Sequence, residues 1–256
     1  MLDAIRHDTI LELRMARPPV NALDPGLIHA LRVAVEAAPG EGARGIVLSG
    51  RPGMFSGGLD VPALMQLDRS GITELWREFF GLCGALARSA VPVVAAITGH
   101  SPAGGAVLSI FCDYRVMARS ADAAKPFRIG LNEVQVGLAV PEHIQFALRR
   151  LVGAHRAERL MVAGAMIDAD EALRVGFVDE LTDVDNVVPR SKEWLGQLLA
   201  LPPRAMRETR RMARADLAAV FADLSKMGVE HFVDGWFGAE SQQVLGALVA
   251  KMKSKG

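Results

Sequence analysis

VPVVAAITGHSPAGGA, residues 91–106, carries the pattern on which the fold is read. Val91–Thr98 is a short, almost wholly apolar run, as in a strand buried on both faces, and its early Pro92 suits a strand start. Gly99-His100-Ser101-Pro102-Ala103-Gly104-Gly105 then turns the chain into an apolar helix expected over Ala103–Phe111. Strand, glycine turn and helix N-terminus form one unit of an α/β fold with mostly parallel pairing. The same unit occurs upstream: strand Gly45–Ser49, the turn Phe55-Ser56-Gly57-Gly58, and a helix start at Asp60. Asp60 is a good N-cap and Pro62 fits the first turn. Further out, Thr9–Met15 alternates like a half-exposed strand, Tyr114–Ala118 reads as another, and helices are expected near Pro25–Ala37 and Thr73–Arg88. From Ser191 onward the strand signal fades. Lys192–Leu201, Pro203–Leu224 and Glu240–Lys253 carry helix-period apolar residues, punctuated by Pro202-Pro203 and by Gly235–Gly238. The expectation is an α/β core over 1–190 and a helical region over 191–256, with spare apolar faces that suit a homo-oligomer interface.

Composition narrows the function classes. The chain has 256 residues, 50% of them hydrophobic, so it can bury a large core. Lys+Arg and Asp+Glu both number 29, which leaves no basic excess for coating nucleic acid. Cys83 and Cys112 both sit in apolar runs and read as free buried thiols in a reducing, cytoplasmic setting. MLDAIRHDTI has no basic segment followed by an apolar stretch, and no run is long enough for a membrane span. The histidines 7, 29, 100, 143, 155 and 231 are scattered without metal-ligand spacing, so no metal site is expected.

The two glycine turns and one acid are where chemistry is sought. Unpaired N–H groups near Leu59 and at Gly104 would each stand at a helix start, free to meet a ligand oxygen. A plain capped helix explains either junction alone. Two junctions in one fold offer the two converging donors that an oxyanion hole needs. The 99–105 turn lacks the Lys-Ser/Thr pair of a phosphate loop. It is also not G-x-S-x-G, because Ala103 stands where the last glycine belongs, so Ser101 is a poor nucleophile candidate. Glu133 lies among Leu131, Val134, Val136 and Leu138. There it is either a desolvated proton shuttle or an ordinary loop acid.

Taken together, F-S-G-G-L-D at 55–60, A-I-T-G-H-S-P-A-G-G at 96–105, C-D-Y-R at 112–115, N-E-V-Q-V-G-L at 132–138 and D-A-D-E-A-L-R-V-G-F-V at 168–178 resemble the enoyl-CoA hydratase/isomerase (crotonase) superfamily. The resemblance covers nearly the whole chain. It implies a crotonase-like spiral of β-β-α units with a C-terminal helical trimerisation region, assembled as a homotrimer or as a hexamer built from two trimers. It implies an acyl-CoA thioester substrate of fatty-acid metabolism and no cofactor, since CoA belongs to the substrate. Carried over by position, Leu59 and Gly104 supply the oxyanion-hole N–H groups and Glu133 is the catalytic acid/base. Gly57, Gly58, Asp60, Val61, His100 and Asn132 are substrate-binding.

The family's hydratases carry a second glutamate in the helix after the glycine turn, and here that position is Val107. One acid serves a double-bond shift, whereas hydration needs water positioned and a proton delivered. The single-acid pattern is similar to that of the mitochondrial-type Δ3,Δ2-enoyl-CoA isomerases. Alternatives are a hydratase in which Glu142 stands in as second acid, thioester hydrolysis or decarboxylation. A non-catalytic acyl-CoA- or RNA-binding relative is a further one. A serine peptidase would need partners that Ser101 and Ser109 lack. The basic Lys251, Lys253 and Lys255 are candidates for the CoA phosphates.

Overall fold

The computed structural model describes residues 1–254. Ten strands run in chain order: β1 Leu2–His7, β2 Ile10–Met15, β3 Gly45–Ser49, β4 Gly53–Met54, β5 Val93–Ile97, β6 Gly99–Pro102, β7 Tyr114–Arg119, β8 Arg128–Gly130, β9 Ile167–Asp168 and β10 Glu180–Asp183. They form a six-stranded sheet of order β1-β2-β3-β5-β7-β10 and a four-stranded sheet of order β4-β6-β8-β9. The outer hairpin β1–β2 is antiparallel, and every later pair in the large sheet is parallel. In the small sheet β4, β6 and β8 are parallel neighbours, and β9 closes it antiparallel to β8.

This arrangement is a spiral. Each turn lays one long strand in the large sheet (β3, β5, β7), one short strand in the small sheet (β4, β6, β8), and then a helical segment. The fold is the α/β crotonase-like spiral that the sequence pattern implied.

The apolar runs become the central strands because both of their faces are covered. Ile46, Leu48, Val93, Ala95 and Ile97 face the main core. Val47, Val94, Ala96, Val116 and Ala118 face the opposite side, where Val187 and Leu195 of helix Val187–Leu199 seal them. Position 190/191 therefore falls inside a helix that packs on the sheet. The first strand β1, which the composition of the N-terminus did not announce, pairs with β2 from Leu2↔Met15 to His7↔Ile10.

Three helical expectations are revised. The long helix begins at Arg69, four residues before Thr73, because the Asp68 side chain caps it by accepting from the Gly71 N–H at 2.8 Å. The stretch expected as one helix over Pro203–Leu224 is two, Pro203–Ala213 and Ala215–Ala219. They part at Arg214, whose guanidinium donates to the carbonyls of Phe111 and Cys112. Gly235 does not punctuate the chain but lies within helix Val229–Trp236, which precedes the last helix, Ala239–Lys253.

C-D-Y-R proves to be a structural clamp. Asp113 accepts from Arg210 at 2.7 and 2.8 Å and from the Val93 N–H. Arg115, almost fully buried, pairs with Asp179 at 2.7 Å and donates to the Cys112 carbonyl. Each buried charge is thus paired and hydrogen-bonded, as burial demands.

Candidate active site

The short strands of the small sheet deliver the site. Just past β4 comes Leu59, just past β6 comes Gly104, and just past β8 comes Glu133. Since β4, β6 and β8 are hydrogen-bonded neighbours, successive segments start about 4.8 Å apart.

Leu59 bridges Leu23: the Leu23 N–H donates to the Gly58 carbonyl (2.8 Å) and the Asp60 N–H to the Leu23 carbonyl (3.0 Å). That ladder turns the Leu59 N–H the other way, and it has no partner among the described residues. Gly104 opens helix Gly104–Ile110, and its N–H is equally unpartnered there. Ala103 aims it: this non-glycine residue sits at φ 44°, ψ −118°, and ψ sets which way the Ala103–Gly104 peptide faces. Such a conformation costs about 1–3 kcal/mol and persists where surroundings enforce it. Here the Ala103 N–H is tied to the Gly130 carbonyl at 2.8 Å. The two amides lie close together. A Cβ added at Gly104 would stand 3.5 Å from the Leu59 nitrogen, and one at Gly58 would stand 3.4 Å from the Gly104 nitrogen.

Both amides border a cavity of 530 Å³, on whose wall Glu133 also lies. Glu133 begins a 3₁₀ turn, Glu133–Val136, that ends at Gly137 in the left-handed region, φ 75°. Its Oε2 is shut away from solvent without a hydrogen-bond partner, and burial lifts its pKa from 4.5 to about 7. That is the range in which a carboxyl both takes and returns a proton near neutral pH. The turn is pinned from behind. Ser241 of the last helix donates to the Gly137 carbonyl at 2.6 Å, and a Cβ at Gly137 would come within 3.0 Å of the Ser241 Cα.

Gly57, Leu59, Asp60, Val61, Gly104, Asn132 and Glu133 all line this cavity. Gly58 does not. It lies behind the wall, where its missing side chain lets the two glycine turns pack. His100 does not reach the cavity either. Its Nδ1 accepts from the Arg128 N–H at 3.2 Å and its ring meets Phe127 at 5.3 Å, with burial, then Arg128, holding its pKa below the ordinary value. Asp60 is a second carboxylate on the wall, but it is committed. It caps its helix through the Ala63 N–H (3.0 Å) and pairs with Arg17 at 2.5 Å.

Glu142 is exposed at a helix start and is not among the lining residues, although Pro141 and Ile144 beside it are, and Val107 is buried in the core. Ser101 is fully buried with an unpartnered Oγ, as a structural residue. Both cysteines are buried and free, and burial pushes the Cys112 thiol up to about 12. Lys251 is exposed on the last helix, the side chain of Lys253 is not described, and Lys255 lies outside the described residues.

Sequence reasoning missed Trp76, Phe79, Trp236, Leu248 and Met252, which line the cavity from helices far along the chain. Their helical spacing is that of any core face, so nothing local marked them. A more open hollow of 570 Å³ on another face is bordered by Glu171 and Arg174, which pair with each other, and by none of the anticipated residues. Among the described residues, no three His, Cys, Asp or Glu gather as for a metal ion, and no helix is long and apolar enough to cross a membrane.

The family described as Enoyl-CoA hydratase/isomerase matches residues 6–252. The chain belongs to the enoyl-CoA hydratase/isomerase family. It is 31% identical over 245 residues to the mitochondrial enoyl-CoA delta isomerase 1 of Mus musculus, covering 95% of this chain and 83% of that protein. A probable enoyl-CoA hydratase of Mycobacterium avium is 30% identical over 220 residues, or 86% of this chain and 82% of the relative. The crystal structure of human mitochondrial delta3-delta2-enoyl-CoA isomerase superposes with a TM-score of 0.92 at 28% identity, over 99% of this chain and 98% of that one. This enoyl-CoA hydratase/isomerase family member is therefore an enzyme, and an acyl-CoA substrate is consistent with its family. Its relatives include both named reactions, so the choice between them rests on the residues of the cavity.

Proposed function

We propose that the protein is a Δ3,Δ2-enoyl-CoA isomerase that works with Glu133 as its single acid/base. One observation carries this reading. The cavity joins two unpartnered amides to one uncommitted carboxylate, whereas the position of a second acid is Val107, buried in the core. The thioester oxygen of a 3-enoyl-CoA lies between the N–H groups of Leu59 and Gly104, and the pantetheine runs along Gly57–Val61. Polarisation acidifies the C2 proton, which is also allylic. Glu133 takes that proton, and the electron pair of the C2–H bond spreads over a dienolate whose oxygen the two amides hold. The same carboxyl returns the proton to C4, leaving the conjugated 2-trans-enoyl-CoA. No water is added and no electrons leave the substrate, so the reading calls for no cofactor beyond the CoA of the substrate.

Hydration is disfavoured because Asp60 is held by Arg17 and by its capping bond, leaving no second carboxyl to position water. The reading includes a cytoplasmic enzyme assembled as a trimer or hexamer. Two free buried thiols, the exposed Leu201 in the bend between two C-terminal helices, and the exposed Met212 on the second of them support it.

The test is an ultraviolet conjugation assay with trans-3-hexenoyl-CoA and, separately, crotonyl-CoA. Rising enoyl-thioester absorbance with the first and no loss with the second is expected. Loss of absorbance with crotonyl-CoA would overturn the isomerase in favour of a hydratase.

A further inference from the structure

The cavity wall combines the two amides and Glu133 with a set of apolar side chains, and part of that apolar wall is aromatic. Trp76 and Phe79 stand three residues apart on one face of helix Arg69–Arg88, and both line the cavity. They are only 4% and 2% exposed, so what lies beyond them is protein and not solvent. Behind Trp76 stand the rings of Phe80, at 5.6 Å between centroids, and Phe232, at 5.9 Å. Phe80 is backed in turn by the His143 ring at 4.3 Å. The floor is therefore more than one ring thick. An acyl tail that runs from the reacting carbons toward this wall meets packed rings.

We propose that this aromatic floor caps the length of the acyl chain, making Trp76 and Phe79 specificity-determining residues and short- to medium-chain 3-enoyl-CoA thioesters the substrate class. The proposal rests on reading the cavity as the acyl-CoA site of an isomerase. A volume of 530 Å³ lies within the range of about 300–1,000 Å³ that takes a drug-sized ligand. It must accommodate the thioester, the reacting carbons and the tail together, so its size and the rings that wall it bound the tail. Each methylene the pocket buries is worth about fourfold in kcat/KM until the floor is met. Past that point an added methylene meets packed rings and the gain reverses.

The experiment is a series of trans-3-enoyl-CoA substrates from hexenoyl through octenoyl, decenoyl and dodecenoyl to hexadecenoyl. For the wild type, kcat/KM rises and then falls before hexadecenoyl. Phe79→Ala moves the break to longer chains and raises the dodecenoyl-to-hexenoyl ratio by about tenfold or more, the equivalent of roughly two further buried methylenes. Circular dichroism checks folding. If Phe79→Ala does not fold, Phe79→Leu gives a smaller shift in the same direction.

A wild-type profile that climbs through hexadecenoyl would overturn the proposal, since the tail would then leave by the half-exposed Met252 at the rim. So would a ratio unmoved by the folded variant. A readout independent of turnover separates this from the function assigned above. Saturated hexanoyl-, dodecanoyl- and hexadecanoyl-CoA are titrated by tryptophan fluorescence. Trp76 and Trp236 line the cavity, while Trp194 stacks on Tyr114 and does not. A length break in binding that Phe79→Ala moves, without isomerisation of any substrate, keeps the floor and removes the isomerase. Isomerisation without a break does the reverse.

Discussion

Glu133→Gln is expected to destroy activity and yet to stabilise the protein as pH rises. In the fold the Glu133 carboxyl titrates at about 7 instead of 4.5, because burial penalises its charged form. The folded state thus holds a proton that the unfolded chain gives up. Stability from this group is complete below 4.5 and is lost as pH rises through 7. The gap corresponds to about 3 kcal/mol at pH 8.5 and to under about 1 kcal/mol at pH 5. Gln keeps the shape and cannot ionise. Its buried amide has a hydrogen-bonding cost of its own, but that cost does not vary with pH. The quantity to read is therefore the stability of the variant minus that of the wild type, by urea unfolding at both pH values. It should grow by about 2–3 kcal/mol between pH 5 and pH 8.5. A difference that stays flat would mean that Glu133 is hydrated and ordinary, and the argument for it as a proton carrier near neutral pH would fail with it. Conjugation activity of the wild type should fall below pH 7 as the base is protonated, and that of Glu133→Gln should be nearly absent throughout.

Other consequences are simpler to check. Gly104→Ala places a methyl 3.5 Å from the Leu59 nitrogen and 2.9 Å from the Leu23 Cδ1, crowding the space for the thioester oxygen. Ala keeps the N–H but displaces it; a donor lost outright costs about 2.7–4 kcal/mol, so kcat should drop by up to about 10²–10³-fold while thermal unfolding shows a folded protein. Ser241→Ala removes the bond that pins the Glu133 turn, at a cost of about 1 kcal/mol in denaturant, and kcat should fall more than KM changes. Arg17→Ala frees Asp60, and a loss on the order of 1 kcal/mol from the unpaired cap is expected by thermal melt. Neither Cys83 nor Cys112 should react with a thiol reagent until the chain unfolds, because both are buried and both thiols are pushed well above their ordinary pKa.

What could be read from the chain follows from how local each signal is. Gly45–Ser49 and Val93–Ile97 were legible because burial on both faces leaves an unbroken apolar run. The places of Leu59, Gly104 and Glu133 could be picked out, since each follows a glycine turn or sits as an acid in an apolar stretch, but only the structure puts all three on one cavity wall. The break at Arg214 was not legible, since it depends on carbonyls a hundred residues earlier in the chain. Nor was the role of C-D-Y-R, because Arg210 and Asp179, which pair with its Asp113 and Arg115, lie far along the chain. His100 misled for the converse reason. Its place in the turn is right, but its ring is claimed by the Arg128 N–H across the small sheet. The aromatic wall was invisible because Trp76 and Phe232, whose ring centroids are 5.9 Å apart, come together only in three dimensions.

The small sheet acts as a ruler. Because Leu59, Gly104 and Glu133 each follow one of three laddered strands, the distance from the two amides to the carboxyl proposed as proton carrier is graduated by main-chain pairing and not by the length of any side chain. The group at the third mark can then be exchanged without recalibrating the other two. A variant at position 133 should still seize and polarise a thioester carbonyl, which an infrared shift of that carbonyl would register even in an enzyme that no longer turns over. The scaffold thus keeps recognition of the thioester on one pair of marks and the choice of reaction on another, so that new chemistry can be tried at little risk to binding.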